Sequence, residues 1–567
     1  MASIATGMRH PLQRIEVSQL PGSEGQEVLL AAAGPRLAVF NLRDGASLST
    51  WDGALSLSQE QGAKETLLEA QDAIDGTQEP PEKKRKLSPA PSGKSNKIRS
   101  SKNGPAKDAG PTPLQPNIIA LVAIRSKGLV VVVTGEDKGI RLFQLGAEGE
   151  LQFLNERFMP KRPVAVRVTD DLSTILCADK FGDVYSLPLL PTEPRPLSSP
   201  AESSAAQSPT PSRSTRPSAN DKTVHTKGNL EALQQQLRSQ HTPHEKPKPN
   251  FEHKLLLGHV SMLTDMLCHR LDGLNSPSGQ KRDYIITSDR DEHIRVSRGI
   301  PQTHVIEGFC LGHQQFVSRM CIPKGRPRVL ISGGGDDYLL VWDWVAGRIL
   351  QKMDLRETVG VLLEENGKDI SQVGRTEVLA TALDNTVKEN GVEANGQAEM
   401  NSEIDASDGP RTQRKIAITG IWDAPSLSND TTSNNGTVLV ACEGIPALFC
   451  FTFNEDADLR YTQTLALDGN ALDLAVQTSE SRIIVSVDSI HEPFDTRSVR
   501  PSSSAINLQA FALHFGAWVK DPGYKQVLQT ISSHRTFDMN DAQASRVGEI
   551  QSLLYTVEVL RKRTGEE

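Results

Sequence analysis

Few side chains in this sequence are spaced for covalent chemistry. GGGDD at 333–337 combines glycines with acids, but it lacks the strand-to-helix setting and the G-x-G-x-x-G spacing that cradle a dinucleotide pyrophosphate. SGKS at 92–95 looks like the end of a phosphate loop, yet Ser88 stands where the first glycine is required. The histidines form neither H-E-x-x-H nor a tight group with cysteine, so no catalytic residue and no metal ligand is nominated. The six cysteines (177, 268, 310, 321, 442 and 450) contain no C-x-x-C pair and lie in or beside apolar runs, which predicts buried, reduced thiols. What remains is a concentration of charge in TSDRDEHIRVSRG (287–299), where Asp289, Arg290, Asp291, Glu292, His293 and Arg295 crowd one turn and the strand after it. Mixed charges on a rigid rim suit recognition of a protein partner, because complementary pairs fix register and orientation. The plainer alternative is a solvent-facing, salt-bridged turn that adds little to stability.

The element that must carry this turn is a repeat. From Gly312-His313 to Val341-Trp342-Asp343, two short β-branched runs are separated by a Gly/Asp turn, the pattern of one propeller blade. The preceding unit, from Gly258-His259 to Val296-Ser297, follows the same plan but has Ser297 and Arg298 in place of the Trp-Asp pair. A repeat that departs from its own template trades local consistency for something else. His259 and His313 are read as blade-stabilising, and Asp137, Asp179, Asp291 and Asp336 as turn caps accepting backbone N–H bonds.

Against this template the chain divides into eight stretches. Residues 1–52 supply first propeller strands, with a hairpin at EVLLAAAGPRLAVFNL and an early strand that is a candidate for ring closure with the other chain end. Residues 53–113 are a disordered basic linker, 114–189 two blades, 190–250 a Pro/Ser-rich linker, and 251–350 the central blades. An acidic insertion follows at 351–412, then the last blades at 413–515. The extension 516–567 contains a helix that places Ile550, Leu553, Leu554, Val557 and Leu560 on one face. The expected fold is therefore all-β: a seven-bladed WD-repeat β-propeller with disordered insertions and a C-terminal helix.

Composition narrows the function classes further. A net charge of −8 is too mild for the chain as a whole to bind polyanions. No signal peptide and no apolar run of membrane-spanning length is apparent, which predicts a soluble intracellular protein with no membrane partner. The cluster Lys83, Lys84, Arg85 and Lys86, held extended between Pro81 and Pro89, reads as a nuclear import signal, with a merely solvated linker as the alternative.

The phrases ADKFGDVYSLPL, LLGHVSMLTDM, YIITSDRDEHIRVSRGIPQTHVIEGFCLGHQQFVSRM and GGGDDYLLVWDW resemble the WD-repeat, non-catalytic subunit of the eukaryotic tRNA (guanine-N7-)-methyltransferase. The likeness is strong from about 117 to 345 and does not extend to the linkers. It implies that this chain is not itself an enzyme and holds no cofactor. A catalytic partner would bind S-adenosylmethionine and methylate guanine N7 in tRNA, while the nuclear location rests on the basic cluster alone. It further implies that Asp289, Arg290, Asp291, Glu292 and Arg295 meet that partner, with Arg290 and Arg295 as anchors through bidentate pairing with carboxylates. Lys161, Arg162 and Lys180 become candidates for tRNA phosphates. The competing reading is a general nuclear WD-repeat scaffold in ribosome assembly or chromatin; a propeller enzyme would need acids or histidines converging on the channel.

Overall fold

Each β-branched run becomes one strand of a four-stranded antiparallel meander, and the described chain contains seven such meanders. The structure, a computed structural model, describes residues 9–22, 25–54, 115–191, 251–273, 278–368, 416–425, 436–454, 458–500, 507–539 and 547–562. The basic cluster Lys83–Lys86 lies outside the described residues.

Blade I holds β1 (Arg14–Gln19), β2 (Glu27–Ala33), β3 (Arg36–Asn41) and β4 (Ser47–Asp52). Blade II holds β5 (Ile118–Ile124), β6 (Leu129–Thr134), β7 (Gly139–Leu145) and β8 (Leu151–Phe158). Blade III holds β9 (Pro163–Val168), β10 (Thr174–Asp179), β11 (Asp183–Pro188) and β12 (Lys254–Gly258). Blade IV holds β13 (Leu263–Leu271), β14 (Arg282–Asp289), β15 (Ile294–Arg298) and β16 (Ile306–Cys310). Blade V holds β17 (Val317–Cys321), β18 (Val329–Gly334), β19 (Tyr338–Asp343) and β20 (Arg348–Asp354). Blade VI holds β21 (Ile418–Ala424), β22 (Thr437–Cys442), β23 (Ala447–Phe453) and β24 (Leu459–Ala466). Blade VII holds β25 (Ala471–Gln477), β26 (Arg482–Val487), β27 (Leu508–His514) and β28 (Ala517–Lys520). Among the described residues three α-helices accompany them: α1 (Arg356–Glu365), α2 (Lys525–Ser532) and α3 (Val547–Leu554).

Burial follows position in the blade. The second strands β2 and β6 are buried at every residue, because both faces of their sheets pack against neighbouring blades. The outermost strands β8 and β20 are exposed or half-buried over almost all of their length. All six cysteines are free thiols, five of them buried and Cys268 half-buried.

The sequence repeat and the blade are out of phase. The Gly-His pair closes the outermost strand of one blade, so KLLLG (254–258), expected to open a blade, is instead the fourth strand of blade III. TQTLA at 462–466 likewise completes blade VI, and blade VII ends beyond 515, on β28. Residues 351–412 were expected to form an insertion, but their start carries the end of β20 and all of α1, whose Val359 and Leu363 pack into the blade V–VI core.

Ring closure also differs from expectation. All four strands of blade I come from one continuous segment, and among the described residues the chain ends meet in an isolated antiparallel bridge between Arg9 and Asp538 rather than in a shared blade. The seam to blade VII is closed by side chains. Ile15 N donates to Asp473 Oδ2 at 3.0 Å, and Ser486 Oγ donates to the Leu12 carbonyl at 2.5 Å. Beneath it, Leu528, Ile531 and Phe537 from α2 and the turn after it join Leu12, Leu29 and Phe40 in one core.

The tie between neighbouring blades recurs elsewhere. Asp265 Oδ2 of blade IV accepts from Met320 N of blade V at 3.0 Å, as Asp473 does across the seam. Both aspartates lie on first strands, which pack against one another around the axis of the ring. Glu16 on β1 shares that axis: burial and the Asp473 carboxylate push it up to about 7, while Arg125 and Arg167 pull the other way. A carboxyl raised in the folded state stabilises below its unfolded pKa of 4.5, and that contribution is lost as pH rises through 7. Glu16→Gln is therefore expected to match the parent in urea unfolding at pH 4 and to exceed it by roughly 1–3 kcal/mol at pH 8. A difference that does not change with pH would contradict this.

Blade V carries a complete hydrogen-bonded relay. His313 Nδ1 lies 2.8 Å from Asp336 Oδ2, and Nε2 lies 2.7 Å from Ser332 Oγ. Trp342 Nε1 donates to the same hydroxyl at 2.8 Å, with the indole fully buried. Trp342→Ala should cost about 3–5 kcal/mol in chemical denaturation, because it empties a large core volume and removes a donor at once.

Candidate partner-binding face

The charged segment of blade IV separates, once folded, into buried and exposed halves. Thr287 and Ser297 occupy the places that Ser332 and Trp342 hold in blade V, as the strand registers give them. His259 Nε2 lies 2.8 Å from Thr287 Oγ1, and its Nδ1 faces Asp289 Oδ2 at 3.5 Å, so the relay stops short of an indole. Asp289, 3% exposed, accepts from the backbone N–H groups of Asp291 and His293 at 3.0 Å each. Asp289, rather than Asp291, is therefore the cap of this turn, matching Asp179 in blade III, whereas Asp336 accepts from Gln314 N and Gln315 N of the loop before β17.

Arg295, expected as an anchor, is 9% exposed. Its Nη1 donates to the Gly258 carbonyl at 3.0 Å, and burial lowers its pKa from the usual guanidinium range, with Asp289 opposing. Asp289 and Arg295 are thus parts of the blade interior, which corrects their reading as surface contacts. β15 is buried at every residue from 294 to 297, so a side chain on either face of this strand lies inside the propeller, which charge alone does not reveal. The blade keeps Arg290, Asp291, Glu292 and His293 for the surface.

Those residues do not stand alone. Arg290 N donates to the Met262 carbonyl at 2.9 Å, which locks the turn onto the loop between β12 and β13. At the other end of that loop, His259 N donates to the Gly182 carbonyl at 2.8 Å. Gly182 has φ +102°, and a Cβ there would meet the His259 carbonyl at 2.5 Å, so the approach requires glycine. The turn of blade III, the loop and the turn of blade IV therefore form one continuous surface.

The three basic residues proposed for tRNA gather at its blade III end. Lys180 N donates to the Arg162 carbonyl at 2.9 Å, and Lys161 Nζ sits 4.1 Å above the Phe181 ring. Arg162 reaches Glu136 at 3.9 Å, and Lys180 is exposed. Two apolar side chains escaped the sequence reading: Phe181 is 62% exposed and Val260 fully so. The signal lay in KFGD and GHV, where a large apolar residue occupies a turn that normally holds polar ones. The face thus has an apolar centre flanked by cations on one side and a mixed-charge turn on the other. No group of three or more acids, histidines and cysteines that could hold a metal ion occurs among the described residues.

The chain matches the family described as the tRNA methyltransferase TRM82 WD40 domain over residues 29–511. The chain belongs to this family. It is 38% identical to the tRNA (guanine-N(7)-)-methyltransferase non-catalytic subunit TRM82 of Coccidioides immitis, over 98% of each chain. The subunit of the same name from Aspergillus oryzae is 37% identical over the full length of both. That of Sclerotinia sclerotiorum is 38% identical over 95% of this chain and 97% of its own.

The division between buried and exposed charge is open to test by stability alone. Arg295→Ala should cost about 1–3 kcal/mol, because it leaves the Gly258 carbonyl without its donor. Arg290→Ala should stay within about 0.5 kcal/mol. Paired urea melts of the two variants check this, and equal losses would contradict it.

Proposed function

We propose that this chain is the non-catalytic WD-repeat subunit of a tRNA guanine-N7 methyltransferase, and that it docks the catalytic subunit on the face formed by blades III and IV. The first half is supported by relatives bearing that name and aligned along nearly the whole of both chains. The chain is an accessory, non-enzymatic subunit. The second half rests on one observation: exposed Phe181 and Val260 lie between Lys161 and Lys180 on one side and Arg290, Asp291 and Glu292 on the other. An apolar centre with a charged rim is the anatomy of a protein interface, in which the centre supplies affinity and the rim supplies register.

In this reading the partner holds S-adenosylmethionine and performs methyl transfer. The propeller acts by binding the active conformation of the partner more tightly than its other conformations, which shifts the partner's population toward activity. Lys161, Arg162 and Lys180 border the docking face, so a tRNA held by the partner runs past them and meets them through its phosphates rather than its bases. The Lys83–Lys86 cluster directs the chain to the nucleus.

The double variant Lys180→Glu/Arg290→Glu should bind the purified catalytic subunit at least about tenfold more weakly, equivalent to roughly 1.4 kcal/mol, by titration calorimetry. tRNA methylation should fall in parallel and recover at saturating subunit concentration, with the thermal melt of the propeller unchanged. Unchanged affinity would remove this face from the interface.

A further inference from the structure

The segment after α3 was expected to continue as helix through Leu560. It leaves the helix at Leu554 and runs across four blades. Tyr555 is buried, with its hydroxyl bonded to Asp488 and accepting from Asn470 Nδ2 at 3.1 Å in blade VII. Val557 N donates to Glu443 Oε2 at 3.0 Å, in the turn of blade VI. Its side chain packs with Phe316 and Ala417, which directly precede β17 and β21. Arg561 donates to the Gly335 carbonyl at 2.7 Å and the Ile416 carbonyl at 3.0 Å, above the Phe316 ring. The path ends on blade IV: the Leu560 carbonyl accepts from Arg290 Nε at 3.0 Å, and Lys562 Nζ lies 3.4 Å from Asp291 and 3.2 Å from Glu292.

We infer that this strap is a built-in part of the docking face, and that Leu560 is a positioning residue for Arg290. The inference rests on the docking reading above and deepens it. Arg290 and both acids of the turn are engaged by the strap, and Arg561, clamped on two main-chain carbonyls, fixes that strap to blades V and VI. A long guanidinium side chain held at Nε loses less rotamer freedom when a partner arrives, so the strap contributes affinity through Arg290 without touching the partner at that point. Val559, 61% exposed, adds an apolar side chain next to the positioning residue.

The test is a double-mutant cycle on the full-length chain with the purified catalytic subunit. Ending the chain at Val559 should weaken binding roughly five- to tenfold in the parent and at most about twofold in the Arg290→Ala background. Arg561→Ala, which releases the strap end without shortening the chain, should reproduce the effect and its dependence on Arg290. An equal fall in both backgrounds would overturn the inference by making the strap's contribution independent of Arg290. Unchanged binding would overturn it as well, and tighter binding would make the strap a competitor of the partner. If Arg290→Ala by itself leaves affinity unchanged, the docking reading fails; if it weakens binding while truncation does not, only the inference about the strap fails.

Discussion

A propeller blade is a small sheet with two apolar faces, and neither can be left in water. Each blade is therefore stable only between two others, which makes closure of the ring the constraint behind the rest of this structure. Here the chain ends do not share a sheet, so closure falls to a few directed bonds and one apolar cluster. The Ile15–Asp473 and Ser486–Leu12 bonds reproduce at the seam the tie that Asp265 makes between blades IV and V. The helix α2 and Phe537 then seal the floor against blade I, and Arg9 reaches the Ser532 carbonyl at 2.7 Å to hold the first described residues there. A ring closed this way offers rims whose loops are set by the framework rather than by their own sequences.

Blade IV shows what such a framework permits. In blade V the relay of Asp336, His313, Ser332 and Trp342 ties the turn to the core and leaves little in it for other purposes. Blade IV retains His259, Thr287 and Asp289 but gives up the indole, and Arg295 bonds to Gly258 instead. Blade II follows a related course: Arg141, 1% exposed, bonds to Thr134 and Asp137 and lies 5.5 Å from the rings of Trp51 and Phe158. A buried guanidinium fills volume and satisfies carbonyls or carboxylates at the same time. Neighbouring blades supply enough burial that one can depart from the consensus without loss of the ring.

The repeat, the number of blades and the family were legible in the sequence, because β-branched runs alternate with Gly/Asp turns along the chain, two units open on Gly-His, and one of them ends on Trp342-Asp343. What was not legible follows from physics that a linear reading lacks. Arg290 and Arg295 are the same residue type five positions apart, yet Arg290 lies in the turn and Arg295 on a strand buried on both faces. Phe181 and Val260 lie 79 residues apart in the numbering and become neighbours only because Gly182 allows the His259 loop to approach. The helix extrapolated past Leu554 stops where Thr556 and Val557, both β-branched, weaken helical propensity and the Glu443 carboxylate offers Val557 N a tertiary partner.

The same reasoning explains why a chain without catalytic residues can govern a reaction. A partner's active conformation is favoured only to the extent that the propeller binds it better than the alternatives, and a compliant surface would adapt to both. Discrimination needs a rim that does not relax. The turn of blade IV is held from three sides: Asp289 caps it from within, Met262 binds its backbone from the blade III side, and the strap holds it from blades V to VII. Rigidity at this position thus comes from contacts that span several blades, and on the docking proposed above a change at the Arg561 clamp would reach the partner through the stiffness of the turn.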